Sequence, residues 1–512
     1  MSIRRGLTAG LAAVLVTSSL FLASCGTGDD EASASPSSEK PTRKELTILR
    51  TNDIDGWDPD GARVVASWVT LPNVLEGLVR VAKDGVTIEP ALAESWVFDA
   101  AEPSYTFTLR KDVTFSDGTP LTAEDVAFSA TQWVKGERLG SMFADIASAT
   151  AVDPTTVKLT LTRPSTFLLD FLASGIAPVV PKDYAGKSRE AFYQDPVGAG
   201  PYVVDTYSAG VETVLARNDR YHGEPAPLDK VTYRIVSAPS QQLAQFESGE
   251  ADIIESLDPT LAGQVPESRR QTVNPASKNL DVIFNYASEL GRDAAFREAV
   301  SYAINRDQLV EIAYDGLATP VKGIMPPGTI GSVGCDCDAW RHDPEAAKAA
   351  LTKSGYDGEK LHLVTEVTSG DSPQIELIRA DLEAVGIDVE VEELDLQVLL
   401  ERVAGGDYDI GVGTYSNVSP TAGDVFFYMY VSKFFGSGAP VEPLLEHFNT
   451  FAVAADADAK AAAVRGLESW AAEARPIVPL VSTSLVVPVS ESVHGLKVRP
   501  YSRYYLDELS VG

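Results

Sequence analysis

Three cysteines and five histidines in 512 residues leave little material for metal or thiol chemistry. His222, His342, His362, His447 and His494 stand apart from one another, and no H-E-x-x-H pair occurs. A complete Walker loop and a G-x-S-x-G elbow are also missing. Gly198-Ala199-Gly200-Pro201 has two glycines but not the third, and the proline speaks against a phosphate cradle. A catalytic triad needs no proximity in the chain, but nothing points to one. No cofactor or metal is expected. Positive charge is short as well: 42 Lys and Arg stand against 73 Asp and Glu, a net charge of -31. Nucleic acid is therefore not an expected partner, because its phosphates need a basic patch. The acidity says little about a ligand, since surface carboxylates are mostly solvated. Long hydrophobic runs are absent beyond Cys25. The longest, Ile477 to Val489, is interrupted by Pro479, Ser482, Thr483, Ser484 and Pro488 and is too short to span a bilayer.

What is present begins at the first residues. Arg4 and Arg5 precede an uncharged apolar run from Leu7 to Ala23, and Leu22-Ala23-Ser24-Cys25 follows. That order is a positive n-region, a hydrophobic h-region and a small-residue cleavage site. With cysteine at the cleavage point, residues 1–24 resemble a bacterial lipoprotein signal. The resemblance implies that Cys25 takes the lipid and becomes the new N-terminus. A plain secretory signal and a twin-arginine route are the alternatives. The signal carries two positive charges, so the remainder carries about -33. Residues 25–45, rich in Ser, Asp, Glu and Pro, read as a flexible tether.

Roughly 490 residues remain, enough for two or three lobes. Cys335 and Cys337 are the two remaining thiols, and in an oxidising compartment they are expected to pair. With His342 they could instead ligate zinc, although the spacing matches no structural zinc class.

Order should begin at the alternating run Leu46 to Leu49. Tyr105 to Leu109 alternates with period two, Asp117-Gly118 makes a tight turn, and Thr122 with Asp125 caps a helix starting at Ala123. Phe296, Ala299, Val300, Ala303 and Ile304 recur at helical spacing, and Asn305 with Gln308 resembles a capping box. From Leu361 the elements alternate: strand to Val367, helix from Ser372-Pro373 to Gly386, strand Ile387 to Val391, helix Leu396 to Val403, strand Tyr408 to Val412. This α/β alternation predicts a parallel sheet covered on both faces, with ligands beyond the carboxyl ends of its strands. Attention then falls on Gly413-Thr414-Tyr415-Ser416-Asn417. Phe451 to Ala474 predicts a helix or a helix pair.

Four ordered blocks carry a wider resemblance. They are Pro90 to Ser129, Pro196 to Val236 running on into Phe246 to Ile253, Phe284 to Val310, and Asp343 to Tyr356. From Leu46 to the C-terminus the chain resembles extracytoplasmic solute-binding proteins of the peptide/nickel-binding family (family 5), which serve ABC importers. The resemblance implies an α/β, two-lobe periplasmic-binding-protein-like fold (type II, large cluster C form) with an extra inserted domain. The first lobe would comprise residues 46–78, 196–274 and 484–512. The inserted domain would be 79–195 and the second lobe 275–483, joined by two crossings that form a hinge.

The function implied is capture of a small solute, an oligopeptide, dipeptide or peptide-like molecule, between two lobes, with no chemical step. The partners implied are that ligand and ABC permease subunits, with membrane contact through the lipid alone, an extracytoplasmic location and a monomeric state. Candidate ligand contacts are Arg63, Val65 and Trp68 from the first lobe, Phe143 from the inserted domain, and Asn285, Tyr286, Tyr415 and Asn417 from the second. Peptide-binding relatives hold the free ammonium with an aspartate where this chain has Asn417. Asparagine cannot neutralise a charge. Either Asp424 moves in, or the ligand lacks a free amine there. A ligand sensor and a lipid-anchored hydrolase are the competing functions.

Overall fold

The computed structural model describes residues 44–62, 64–85, 87–273, 278–327, 338–366, 372–416, 442–454, 457–499 and 504–512. Three larger sheets organise them. In the first, Glu45–Arg50 lies between Ile253–Ile254 and Lys230–Ile235 and runs parallel to both, and Glu212–Arg217 and Tyr202–Ser208 continue the sheet antiparallel. Leu46 and Ile48 enter one apolar cluster and Leu49 another, so the period-two alternation is buried on both faces.

The second sheet is four-stranded and antiparallel, with Ala93–Asp99, Ser104–Leu109, Thr156–Leu161 and Ile146–Asp153 as its spatial order. Tyr105, Phe107 and Leu109 are buried, as their alternation predicts. Gly118 has φ +89° in the turn, and the Asp117 carboxylate accepts from the Thr119 amide at 2.8 Å. The helix Ala123–Lys135 follows. At its start the Asp125 carboxylate takes the Thr122 amide at 2.7 Å, satisfying a donor ahead of the first turn.

The third sheet has six strands in the order Ala318–Pro320, Val478–Thr483, Lys278–Phe284, Ile410–Ser416, Leu361–Glu366 and Val389–Leu394. Only the β-α-β run is parallel; Lys278–Phe284 is antiparallel to both its neighbours, so the sheet is mixed rather than parallel throughout. The antiparallel strands come from outside the alternating run, and no crossover helix fixes their direction. Two strands also start later than their apolar residues suggest. Ile387 is buried, but its amide still closes the preceding helix on Leu382 at 3.0 Å behind Gly386 at φ +98°, so the ladder begins at Val389. Tyr408 likewise precedes Ile410–Ser416; its hydroxyl donates to the Phe284 carbonyl at 3.2 Å. Ser372 does not cap its helix by side chain, and its hydroxyl reaches Glu393 at 3.4 Å instead. Phe451 to Ala474 divides between two helices, Glu442–Ala452 and Ala457–Ala474.

A two-stranded ribbon joins the first and third sheets. Arg270–Val273 pairs antiparallel with Leu485–Pro488, which lies one residue beyond the end of Val478–Thr483. Among the described residues no helix is long and apolar enough to cross a membrane.

Candidate functional site

The strand ends next to this ribbon define the site. In the third sheet, Leu361–Glu366 and Ile410–Ser416 run parallel and end at Glu366 and Ser416, while Lys278 pairs with Ser416 and Asn279 with both Tyr415 and Ser482. In the first sheet, Glu45–Arg50 ends at Arg50, and single bridges tie Ile253 to Val489 and Leu257 to Val486. The carboxyl ends of parallel strands from both sheets therefore adjoin the two chain crossings. Ligands bind beyond such ends, because loops there can reach a solute while the strands stay fixed.

Charge is concentrated here. Arg50 is buried, donates to Thr70 at 2.7 Å and Glu255 at 2.9 Å, and stacks 3.5 Å from the Tyr233 ring centroid. Tyr504 donates to Glu255 at 2.7 Å. At the strand ends of the third sheet, the Lys278 ammonium is exposed and feels the charge of Glu366. Glu366 is exposed as well.

The residues singled out in the sequence do not all gather at these ends. Val65 opens the short helix Val65–Thr70 and is exposed. Trp68, on the same helix, is buried, with the Arg138 guanidinium 5.5 Å from its ring. Phe143 is buried against Trp133 and Phe171, ring centroids 5.8 and 6.4 Å away. It borders a small pocket with Asp58, Asp60, Arg189 and Tyr193. The Asn285 amide nitrogen donates to the Gly406 and Tyr408 carbonyls at 2.9 and 2.8 Å, and its oxygen accepts from the Ala287 amide at 3.0 Å. Tyr286 is buried and donates to Pro476 at 3.2 Å. Both follow the far end of Lys278–Phe284, about 20 Å of extended chain from the Lys278 end. Tyr415 sits in the strand opposite Asn279. Arg63, Asn417, Asp424, Cys25, Cys335 and Cys337 lie outside the described residues.

The model of the bacterial extracellular solute-binding proteins, family 5 Middle, matches residues 87–437. The chain belongs to that family. Among curated relatives of this family 5 protein, the probable D,D-dipeptide-binding periplasmic protein DdpA of Escherichia coli K12 is 28% identical over 401 residues, covering 75% of this chain and 76% of the relative. The glutathione-binding protein GsiB of the same strain is 27% identical over 398 residues, 74% and 76% of the two chains. The solved structure of the periplasmic binding protein DppA from Helicobacter pylori, in complex with peptide STSA, superposes with a TM-score of 0.80 at 23% identity. It covers 92% of this chain and 98% of that one, a likeness of fold.

Two polar residues of the site were not picked out in the sequence. Asn279 and Asp281 stand on Lys278–Phe284 at the ribbon-proximal end and are buried. The only sequence signal for them is a two-residue alternation of polar side chains in Lys278-Asn279-Leu280-Asp281-Val282.

Proposed function

We propose that this family 5 protein captures a peptide or peptide-like solute between two lobes and delivers it to the permease subunits of an ABC importer, without a chemical step. The observation that carries the reading is the paired crossing, Arg270–Val273 against Leu485–Pro488, with strand ends from two sheets beside it. Two crossings of this kind let lobes close over a solute by small backbone rotations. The peptide class rests on the relatives, which include a probable dipeptide binder and a glutathione binder.

The lobes of this reading are 46–78, 196–274 and 484–512 for the first and 275–483 for the second, with 79–195 inserted. Arg63, Val65 and Trp68 face the solute from one lobe and Tyr415 and Asn417 from the other. Phe143 packs behind the first of these walls against Trp133 and Phe171, whereas Asn285 and Tyr286 bond backbone carbonyls at the far end of Lys278–Phe284. A diacyl lipid on Cys25 tethers the monomer to the outer side of the cell membrane, and Cys335 pairs with Cys337.

Native mass spectrometry of protein purified without refolding tests the function. A retained mass of peptide size, released on unfolding and recovered unchanged, is the expected result. Chemical turnover of that solute overturns it.

A further inference from the structure

The strand Lys278–Phe284 has two unlike faces. Leu280, Val282 and Phe284 enter the apolar cluster that also holds Phe296 and Ile378. The opposite face carries Asn279, Asp281 and Ile283. Ile283 packs in a different apolar cluster, with Val403 and Leu467. On this face Asn279 is 0% and Asp281 2% exposed, and buried Ser482 stands opposite Asn279. Among the described residues, both polar atoms of the Asn279 amide, and Oδ1 of Asp281, have no hydrogen-bond partner. Native interiors seldom leave three such atoms together, and each calls for a reason.

The backbone leaves room beside them. Gly413 lies directly across the ladder from Asp281, and a Cβ added there would meet nothing within 4 Å among the described residues. Two residues along, the same addition at Gly411 would come within 2.5 Å of the Ile283 Cγ1 atom. The hollow thus opens at the level of Asp281 and closes at Ile283. On the other side the ladder with Val478–Thr483 shifts register between Leu280 and Asp281, the kind of irregularity that re-aims side chains beside binding sites. Burial raises the Asp281 carboxyl well above its ordinary value. Lys278 has the opposite parity on the strand, and its electrostatic partner is Glu366.

A hollow floored by a carboxylate and an amide, without a positive partner among the described residues, suits a cation that donates several hydrogen bonds. We propose that Asp281 and Asn279 form the subsite that takes an ammonium group of the bound solute. Asp281 supplies the counter-charge and the Asn279 amide oxygen a second acceptor. This rests on the solute-binding reading and names the ligand chemistry of its second lobe. It also removes the need for an acid at position 417.

The test is calorimetry of the full chain with dialanine, trialanine and tetraalanine, each with a free amine and N-acetylated. Wild type should bind at least one free-amine peptide tenfold or more tightly than its acetylated form. Asp281→Asn should reduce that preference below threefold without lowering Tm, because it removes an unpaired carboxyl and keeps the shape. Gly413→Val, which fills the hollow from a position with room for a side chain, should weaken the free-amine peptide tenfold or more. Equal binding of both forms by wild type, or an unchanged preference in Asp281→Asn, overturns the subsite and leaves the peptide reading standing. Binding of neither form by wild type overturns both.

Discussion

Asp170 and Lys460 form an ion pair at 3.6 Å between the helix Leu168–Ala173, beside the four-stranded sheet, and the helix Ala457–Ala474. The contact has company. The Thr166 amide donates to the Ala452 carbonyl at 2.8 Å, Arg163 to Asn449 at 2.5 Å, and the Phe167 and Phe448 rings meet edge-on at 5.1 Å. The carboxylate is buried while the ammonium keeps partial access to water.

Removing one partner of such a pair leaves a buried charge without its compensation. Lys460→Met is expected to cost about 2 kcal/mol in denaturant unfolding, and Asp170→Asn less. The double variant should lose less than the sum of the two. Additive losses would show that the two groups are not coupled.

Glu468 predicts a pH dependence. It accepts from the amides of Ile324 at 2.8 Å and Met325 at 3.0 Å, yet burial pushes its carboxyl up to about 7 from an ordinary 4.5. The folded state therefore holds this proton to higher pH than the unfolded chain does. Its stability contribution is full below pH 4.5 and is lost as pH rises through 7. Relative to Glu468→Gln, wild type should lose up to about 3 kcal/mol across that window, measured by unfolding at a series of pH values. A constant difference across the window would contradict the assignment. Gly323 makes room for the carboxylate, since a Cβ there would run into its oxygens, and Gly323→Ala should cost about 1–3 kcal/mol.

Cys25→Ala should abolish attachment of fatty acid. Metabolic labelling that persists in the variant would refute the anchor at this residue. Two acyl chains are needed for a durable tether, because one binds only reversibly.

Cys335 and Cys337 should resist alkylation until a reductant is added, and chelators should leave Tm unchanged. One zinc per chain by elemental analysis would instead favour the metal reading of these thiols with His342.

Asn417→Asp should weaken the native solute by about 1–3 kcal/mol, the usual cost of a mismatched buried polar contact. Calorimetry against the co-purified solute measures this. An unchanged affinity places residue 417 outside the site.

Much of the local structure was legible in the chain. Thr122 with Asp125, the Gly386 stop and the face of Ala294–Ala303 depend on residues a few positions apart, and steric and hydrogen-bond rules act at that range. The four blocks that mark family 5 were legible for another reason: they are patterns of residue types that need no coordinates to match. Strand starts near Ile387 and Tyr408 were harder, because a buried apolar side chain reports burial and not whether its backbone has joined a ladder.

The sequence by itself determined the element types, the export-like leader pattern and the family. Tertiary structure decided which strand ends meet. Nothing local says that Lys278 pairs with Ser416, or that Asn279 lies between Tyr415 and Ser482. Register and direction come from partners more than a hundred residues away, chosen by burial of whole faces. That the Asn279 amide and Oδ1 of Asp281 lack a partner among the described residues became visible only once both neighbouring strands were in place, because a polar side chain in a linear sequence carries no record of whether anything answers it.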